Sequence, residues 1–156
     1  MAIYHLHAKP IARSAGRSAT AAAAYRAGDR IADTRTGLVH DYTHRHGVDR
    51  AGSAVFFGDA APVIDRGLFW DAVEQHHKHP RAVVAREVEM SLPAELSPDQ
   101  RQALAHSFAR DLAIKYGVAA DISIHAPDMH KAKDERQHHA HILLTACTVS
   151  PDGTLG

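Results

Sequence analysis

From Val83 to Leu92 apolar and polar residues alternate with period two, and at Ser97 a helix start is spelled out in full. The alternation puts Val84, Val88, Met90 and Leu92 on one face of a strand and Ala85, Glu87, Glu89 and Ser91 on the other. Ser97, Pro98 and Gln100 supply an N-cap, a first-turn proline and a capping-box partner for a helix expected to reach about Tyr116 and stop at Gly117. A central strand followed by a capped helix commits this chain to a helix-covered sheet.

The remaining elements fit around that pair. Ile3 to Ala8 reads as a strand, with Ile3, His5 and His7 on one face, and a loop with Pro10 and Gly16 follows. Ser18 is a suitable N-cap for an alanine-rich helix through Tyr25 and Arg26, weakened at Gly28. Residues 31–65 are rich in Gly, Asp, Thr and Arg and read as loops with one short strand at Val55 to Phe57. Helical spacing returns from Asp65 to His79 and Pro80 ends it, while Asp121 to His125 and His139 to Ala146 are two further strands. Strand, helix, helix, strand, helix, strand, strand is a mixed order. It predicts an α+β fold, a largely antiparallel sheet with helices packed on one face.

A chain of 156 residues, 45% of them hydrophobic, fills one ordinary core, so residues 1–156 are expected to form a single domain. The closing residues 150–156 have turn composition, and the chain reads as the N-terminal part of a longer protein. Cys147 is the one cysteine, which leaves no internal disulfide. With neither a leader nor a membrane-length apolar run in view, a cytoplasmic setting is expected. Net charge is zero but unevenly spread: residues 1–50 hold eight Lys/Arg against four Asp. A phosphate-contacting surface would draw on that third, through Lys9, Arg13, Arg17, Arg26 and Arg30.

Fourteen histidines make any single one weak evidence, so arrangement decides. His139 and His141 lie two apart on an apolar strand and project from one face, while Ala140 and Ile142 turn to the other. On the preceding strand Ile122 and Ile124 take the buried face, which leaves Ser123 and His125 opposite. If the two strands pair, His125 completes a three-imidazole site suited to a divalent Lewis-acid ion. His138 points away. A histidine-triad hydrolase would need a third alternating histidine where Leu143 stands, and no helical HExxH is present.

Tyr25 reads by itself as a core or rim aromatic. Arg13, Arg17, Ser18 and Arg26 nevertheless surround the same helix, whose start offers backbone amides to phosphate. Glu87 and Glu89 share a polar strand face and are candidates to support the histidines or to extend coordination. Glu95 reads either as a loop carboxylate over the site or as a first-turn helix charge.

Four separated motifs together resemble the MobA/MobL-type (MobQ class) plasmid relaxases: Met1 to Leu6, the Arg17-Ser18-Ala19 to Tyr25-Arg26 helix, Arg86 to Glu89 with Leu92 to Leu96, and Ile124-His125 with His138 to Leu143. The resemblance implies a HUH endonuclease fold and a conjugative relaxase that nicks and rejoins one DNA strand at a plasmid transfer origin through a 5′-phosphotyrosine intermediate. It implies Tyr25 as nucleophile, His125, His139 and His141 as ligands of a divalent ion, and Glu95 as an aid to proton transfer. Mn²⁺ or Mg²⁺ is the expected ion, with Zn²⁺ or Ni²⁺ as alternatives. Single-stranded origin DNA and other relaxosome proteins are the implied partners. Two departures stand out: Thr145-Ala146-Cys147 replaces the family's frequent Thr-Thr-Arg, and the loop after His125 carries His130 as a competing ligand. A metal-dependent single-strand nuclease using water, and a non-catalytic DNA-binding module with a structural metal, are the alternative readings.

Overall fold

The computed structural model describes residues 7–59, 62–63, 65–127 and 138–156; the expected strand residues Ile3 to Leu6, and His130 with its loop, lie outside them. In chain order the elements are β1 (His7–Ala12), α1 (Ala19–Ala27), β2 (Arg30–Asp33), β3 (Leu38–Asp41), β4 (Val48–Phe57), α2 (Arg66–His76), β5 (Val83–Leu92), α3 (Pro98–Tyr116), β6 (Ala119–His125) and β7 (His138–Thr145). Five strands form one sheet in the order β1-β5-β7-β6-β4, and each neighbouring pair is antiparallel. β2 and β3 form a separate hairpin.

β5 and α3 run as the sequence dictates. Ser97 Oγ accepts from the Gln100 amide, the Gln100 side chain accepts from the Ser97 amide, and Gly117 ends the helix in the left-handed region at φ 64°. The α+β, largely antiparallel class is likewise observed. Its helices, however, are divided between the two faces. Ala105, Ala109 and Ala113, four apart on α3, pack on Val88, Met90, Leu92, Ile122, Ala140 and Ile142. α1 and α2 pack on the other face, where Ala19, Ala22, Ala23, Trp70 and Val73 meet Ile11, Ala85 and Leu143. The reason lies in β7. It is apolar on one face from Ala140 through Ile142 to Leu144, and on the other only beyond His141, at Leu143, so the second face also needs cover over half its length.

Three boundaries differ from expectation. β1 continues through Pro10, expected in a loop, because β1 is an edge strand paired with β5 alone, and an edge tolerates the missing amide. α2 ends at His76, short of His79, as His77 turns extended. The stretch 31–65 holds the expected strand at Val55 to Phe57 within the longer β4, and two further strands where loops were expected. β2 and β3 are only four residues long, and β4 loses its alternation at a register shift between Asp49 and Ala54.

α2 is pinned to the sheet by charge as well as packing. Asp121 of β6, buried, accepts from Trp70 Nε1 at 2.8 Å and from Arg66 Nε at 2.7 Å. With α2 fixed there, α1 lies so that its last turn reaches the polar half of the sheet face.

Candidate active site

Strand alternation and register together assemble the three histidines. His139 and His141 share a face of β7, and across the β6 ladder His139 stands opposite His125, while His141 stands opposite Ser123. On the β5 side His141 faces Glu89, and His139 faces Ser91. The rings converge, with centroids 4.4 Å apart for His125–His141, 5.0 Å for His139–His141 and 5.1 Å for His125–His139. One nitrogen of each lies within 4.8 Å of the others, close enough to share one ion. His138 takes the opposite face, as alternation requires, where burial and then Arg101 lower its imidazole.

Partners behind the rings fix their tautomers. His125 Nε2 lies 2.7 Å from the Arg26 carbonyl oxygen, which can only accept, so Nε2 holds the proton and Nδ1 keeps its lone pair. His141 Nδ1 donates to Glu87 Oε1 at 2.7 Å, which leaves Nε2 of His141 for a ligand. Glu87 Oε2 in turn accepts from Arg26 Nη2. Arg26 therefore serves both outer histidines, one through its backbone and one through Glu87. Glu87, Glu89 and His141 form a second grouping with ligand atoms within 4.8 Å, so Glu89 is a carboxylate in reach of extending the site.

Burial pushes the His125 imidazole from 6.5 down to about 3; the bond to Arg26 opposes this, and His141, Arg45 and His139 add to it. Burial alone would raise Glu87, but hydrogen bonds from His141 and Arg26 outweigh it and hold the carboxyl at about 2, below its ordinary 4.5. Both groups bind protons more tightly in the unfolded chain, so stability of the metal-free protein rises with pH. Its loss is expected to begin as pH falls through 6.5, where the unfolded His125 protonates, and to steepen below 4.5, where Glu87 joins. Urea midpoints across that interval check this; a flat profile would remove the account.

Tyr25 sits in the last turn of α1, next to Arg26, with 45% of its surface exposed. Its ring meets Tyr42 edge-on at 5.1 Å, and the Arg45 guanidinium lies 3.9 Å from its centroid. Both neighbours come from the connection between β3 and β4. Sequence reasoning missed Arg45: its charge is visible there, but nothing local says which element it will reach.

Two residues of the expected basic surface, Arg13 and Arg26, are turned inward. Arg13 donates to the His77, His79 and Glu74 carbonyls and to Glu74 Oε1, with a side chain 5% exposed. Arg26 is committed to Glu87 and the Ala22 carbonyl. Nor are the amides at the start of α1 open to phosphate. Ser18 Oγ accepts from the Ala21 amide, and buried Glu74 Oε2 accepts from the Ala19 amide, so an internal carboxylate stands where an anion was expected. Lys9, Arg17 and Arg30 are the expected cations that stay exposed, and Arg17 stands beside Arg35 and His40 in a cleft of about 330 Å³. Glu95 is exposed on the turn between β5 and α3, whereas the hydrogen bonds of His125 and His141 run to Arg26 and Glu87.

Residues 17–156 match the model of the MobA/MobL family. The chain is 55% identical over 175 aligned positions to mobilization protein MobL of Acidithiobacillus ferridurans, which covers all of this chain and 46% of that relative. Against the probable mobilization protein MobA of Bifidobacterium longum (strain NCC 2705) identity is 33%, with 97% of this chain and 26% of the relative covered. Conjugal transfer protein TraA of Rhizobium radiobacter is 29% identical over 97% of this chain and 14% of its own length. A structure solved for the molecular basis of vancomycin resistance transfer in Staphylococcus aureus superposes with a TM-score of 0.83 at 27% identity, over 99% of this chain and 76% of that one. The chain thus spans less than half the length of these curated relatives.

Proposed function

The chain belongs to the MobA/MobL family, and from that premise we propose that it is the catalytic domain of a conjugative relaxase, nicking and rejoining one DNA strand at a transfer origin through Tyr25. The observation behind this is the bond from His125 to the Arg26 carbonyl. It ties the residue following Tyr25 to the histidine cluster, so an exposed phenol and three converging imidazoles share one end of the sheet.

In the proposed reaction the Tyr25 oxygen attacks the phosphorus of a phosphodiester. A bond from Tyr25 to phosphorus forms as the bond from phosphorus to the 3′ oxygen breaks. In this proposal Glu95 takes the phenol proton and returns it to the departing 3′ oxygen, which leaves as a hydroxyl. The 5′-phosphotyrosine conserves the phosphodiester's energy, so attack by a 3′ hydroxyl reverses the step without ATP. His125, His139 and His141 suit a divalent ion, which when bound offsets negative charge on the phosphate. Imidazole donors accept Mn²⁺, Zn²⁺ and Ni²⁺, with Mg²⁺ needing more oxygen ligands. Arg17, with Arg35 and His40, is the proposed contact for single-stranded DNA. Relaxosome proteins and a cytoplasmic location belong to the same proposal; among the described residues no helix is long and apolar enough to cross a membrane.

The test is incubation with Mn²⁺ and a labelled library of single-stranded oligonucleotides, reading a denaturation-resistant protein–DNA adduct mapped to Tyr25. Cleavage without an adduct would favour a hydrolytic nuclease. Global unfolding in EDTA would favour a structural metal. Within the proposal Glu87 and Glu95 have separable roles. Glu87→Gln is expected to weaken Mn²⁺ binding by roughly 10-fold or more, read by calorimetry, because it unties His141 from Arg26. Glu95→Gln is expected to slow adduct formation at unchanged Mn²⁺ affinity; equal rates would end its proton-transfer role.

A further inference from the structure

We infer that Arg45 is a positioning residue for Tyr25, holding both its backbone and its ring, and that Arg50 holds Arg45 in turn; this rests on the nucleophile reading above. A ring almost half exposed at the end of an alanine-rich helix has little to fix its rotamer. Arg45 grips that residue at two points. Its Nη1 donates to the Tyr25 carbonyl at 2.5 Å, and its guanidinium lies 3.9 Å from the ring centroid. Tyr42 closes the ring's edge at an interplanar angle of 87°.

A cation on the face of an aromatic ring resists the ring's turning away from it. Arg26, the residue that follows Tyr25, is committed to Glu87, whereas Arg45 is the guanidinium seated on the ring.

Arg50 fixes the segment that presents Arg45. Its Nε donates to the Gly28 carbonyl at 3.0 Å, and its Nη2 to the Thr43 and Arg45 carbonyls at 2.9 and 3.1 Å. Gly28 ends α1 at φ 63°, and a Cβ there would fall 2.6 Å from Arg50 Nη2. One glycine therefore both ends the helix and makes room for the guanidinium that staples the Arg45 loop to it.

The test follows the Tyr25 ring by NMR in the metal-free protein labelled with ¹³C-tyrosine, its signal assigned by its loss in Tyr25→Phe. In Arg45→Gln that signal is expected to move toward the position of a free tyrosine, and in Arg45→Lys to recover most of the difference. Adduct formation with the oligonucleotide library and Mn²⁺ is expected to fall about tenfold in Arg45→Gln at unchanged oligonucleotide affinity. An unchanged ring signal, or an unchanged adduct rate, would overturn the inference. A displaced signal with no adduct from the unsubstituted protein would support the hold on Tyr25 and overturn the nucleophile reading alone. Should Arg45→Gln fail to fold, Arg50→Ala leaves Arg45 present but unheld and is expected to displace the signal the same way; no displacement there would also count against the inference.

Discussion

Phenylalanine at position 25 is expected to abolish the covalent protein–DNA adduct, a loss of at least about 10³-fold, while leaving the fold intact. The substitution removes one oxygen. The edge contact with Tyr42 and the face under Arg45 are ring interactions that phenylalanine keeps, so stability should stay within about 0.5 kcal/mol. Circular dichroism and gel-resolved adduct on the same preparations separate the two effects. Tyr42 supplies the control, since its ring lies 5.1 Å away and Tyr42→Phe should leave the adduct on Tyr25. An adduct that persists in Tyr25→Phe, or strand cleavage at the original rate, would remove the proposed mechanism.

The largest effect on stability is expected at Glu74, which touches no part of the candidate site. Its side chain is fully buried, receives the Arg13 guanidinium at 2.7 Å and the Ala19 amide at 2.5 Å, and has Arg35 at 3.6 Å. Alanine there strands a cation that is itself 5% exposed, and leaves the first amide of α1 without its acceptor. Breaking a buried pair from one side costs about 3–5 kcal/mol, against a typical total of about 5–15 kcal/mol for a domain. Urea unfolding should show the midpoint fall at unchanged slope. Glu74→Gln keeps one acceptor and should lose less. If Glu74→Ala cost under about 1 kcal/mol, the ion pair would not be what secures α1 to α2.

What could be read from the sequence was whatever announces itself locally. β5 alternates, α3 is capped at both ends by the residues that do the capping, and the histidines of β6 and β7 fall on one face by parity alone. The unread parts depend on distant partners. β2 and β3 have little apolar alternation and are held by each other and by α2, where Thr34 donates its amide to Asp71 at 2.8 Å. Arg13 and Arg26 looked like phosphate contacts because their charge is local information, whereas Glu74 and Glu87, which take them up, each lie 61 residues away. Glu87 was legible as a candidate acceptor behind the histidines, and it accepts from His141. The start of α1 showed its Ser18 cap but not the carboxylate that fills the rest of it.

β7 lies in the middle of the sheet, its backbone laddered to β5 on one side and to β6 on the other. Two of the three candidate ligands therefore hang from the central strand, which must break a ladder on each side before it can move. Amide exchange at residues 139–142 should report whole-molecule opening and remain as slow after chelation as before. A site anchored in this way can release one ion and accept another without remaking its frame. Choice of metal would then follow what the surroundings supply, and changes in the connections around the sheet could accumulate without disturbing the histidines themselves.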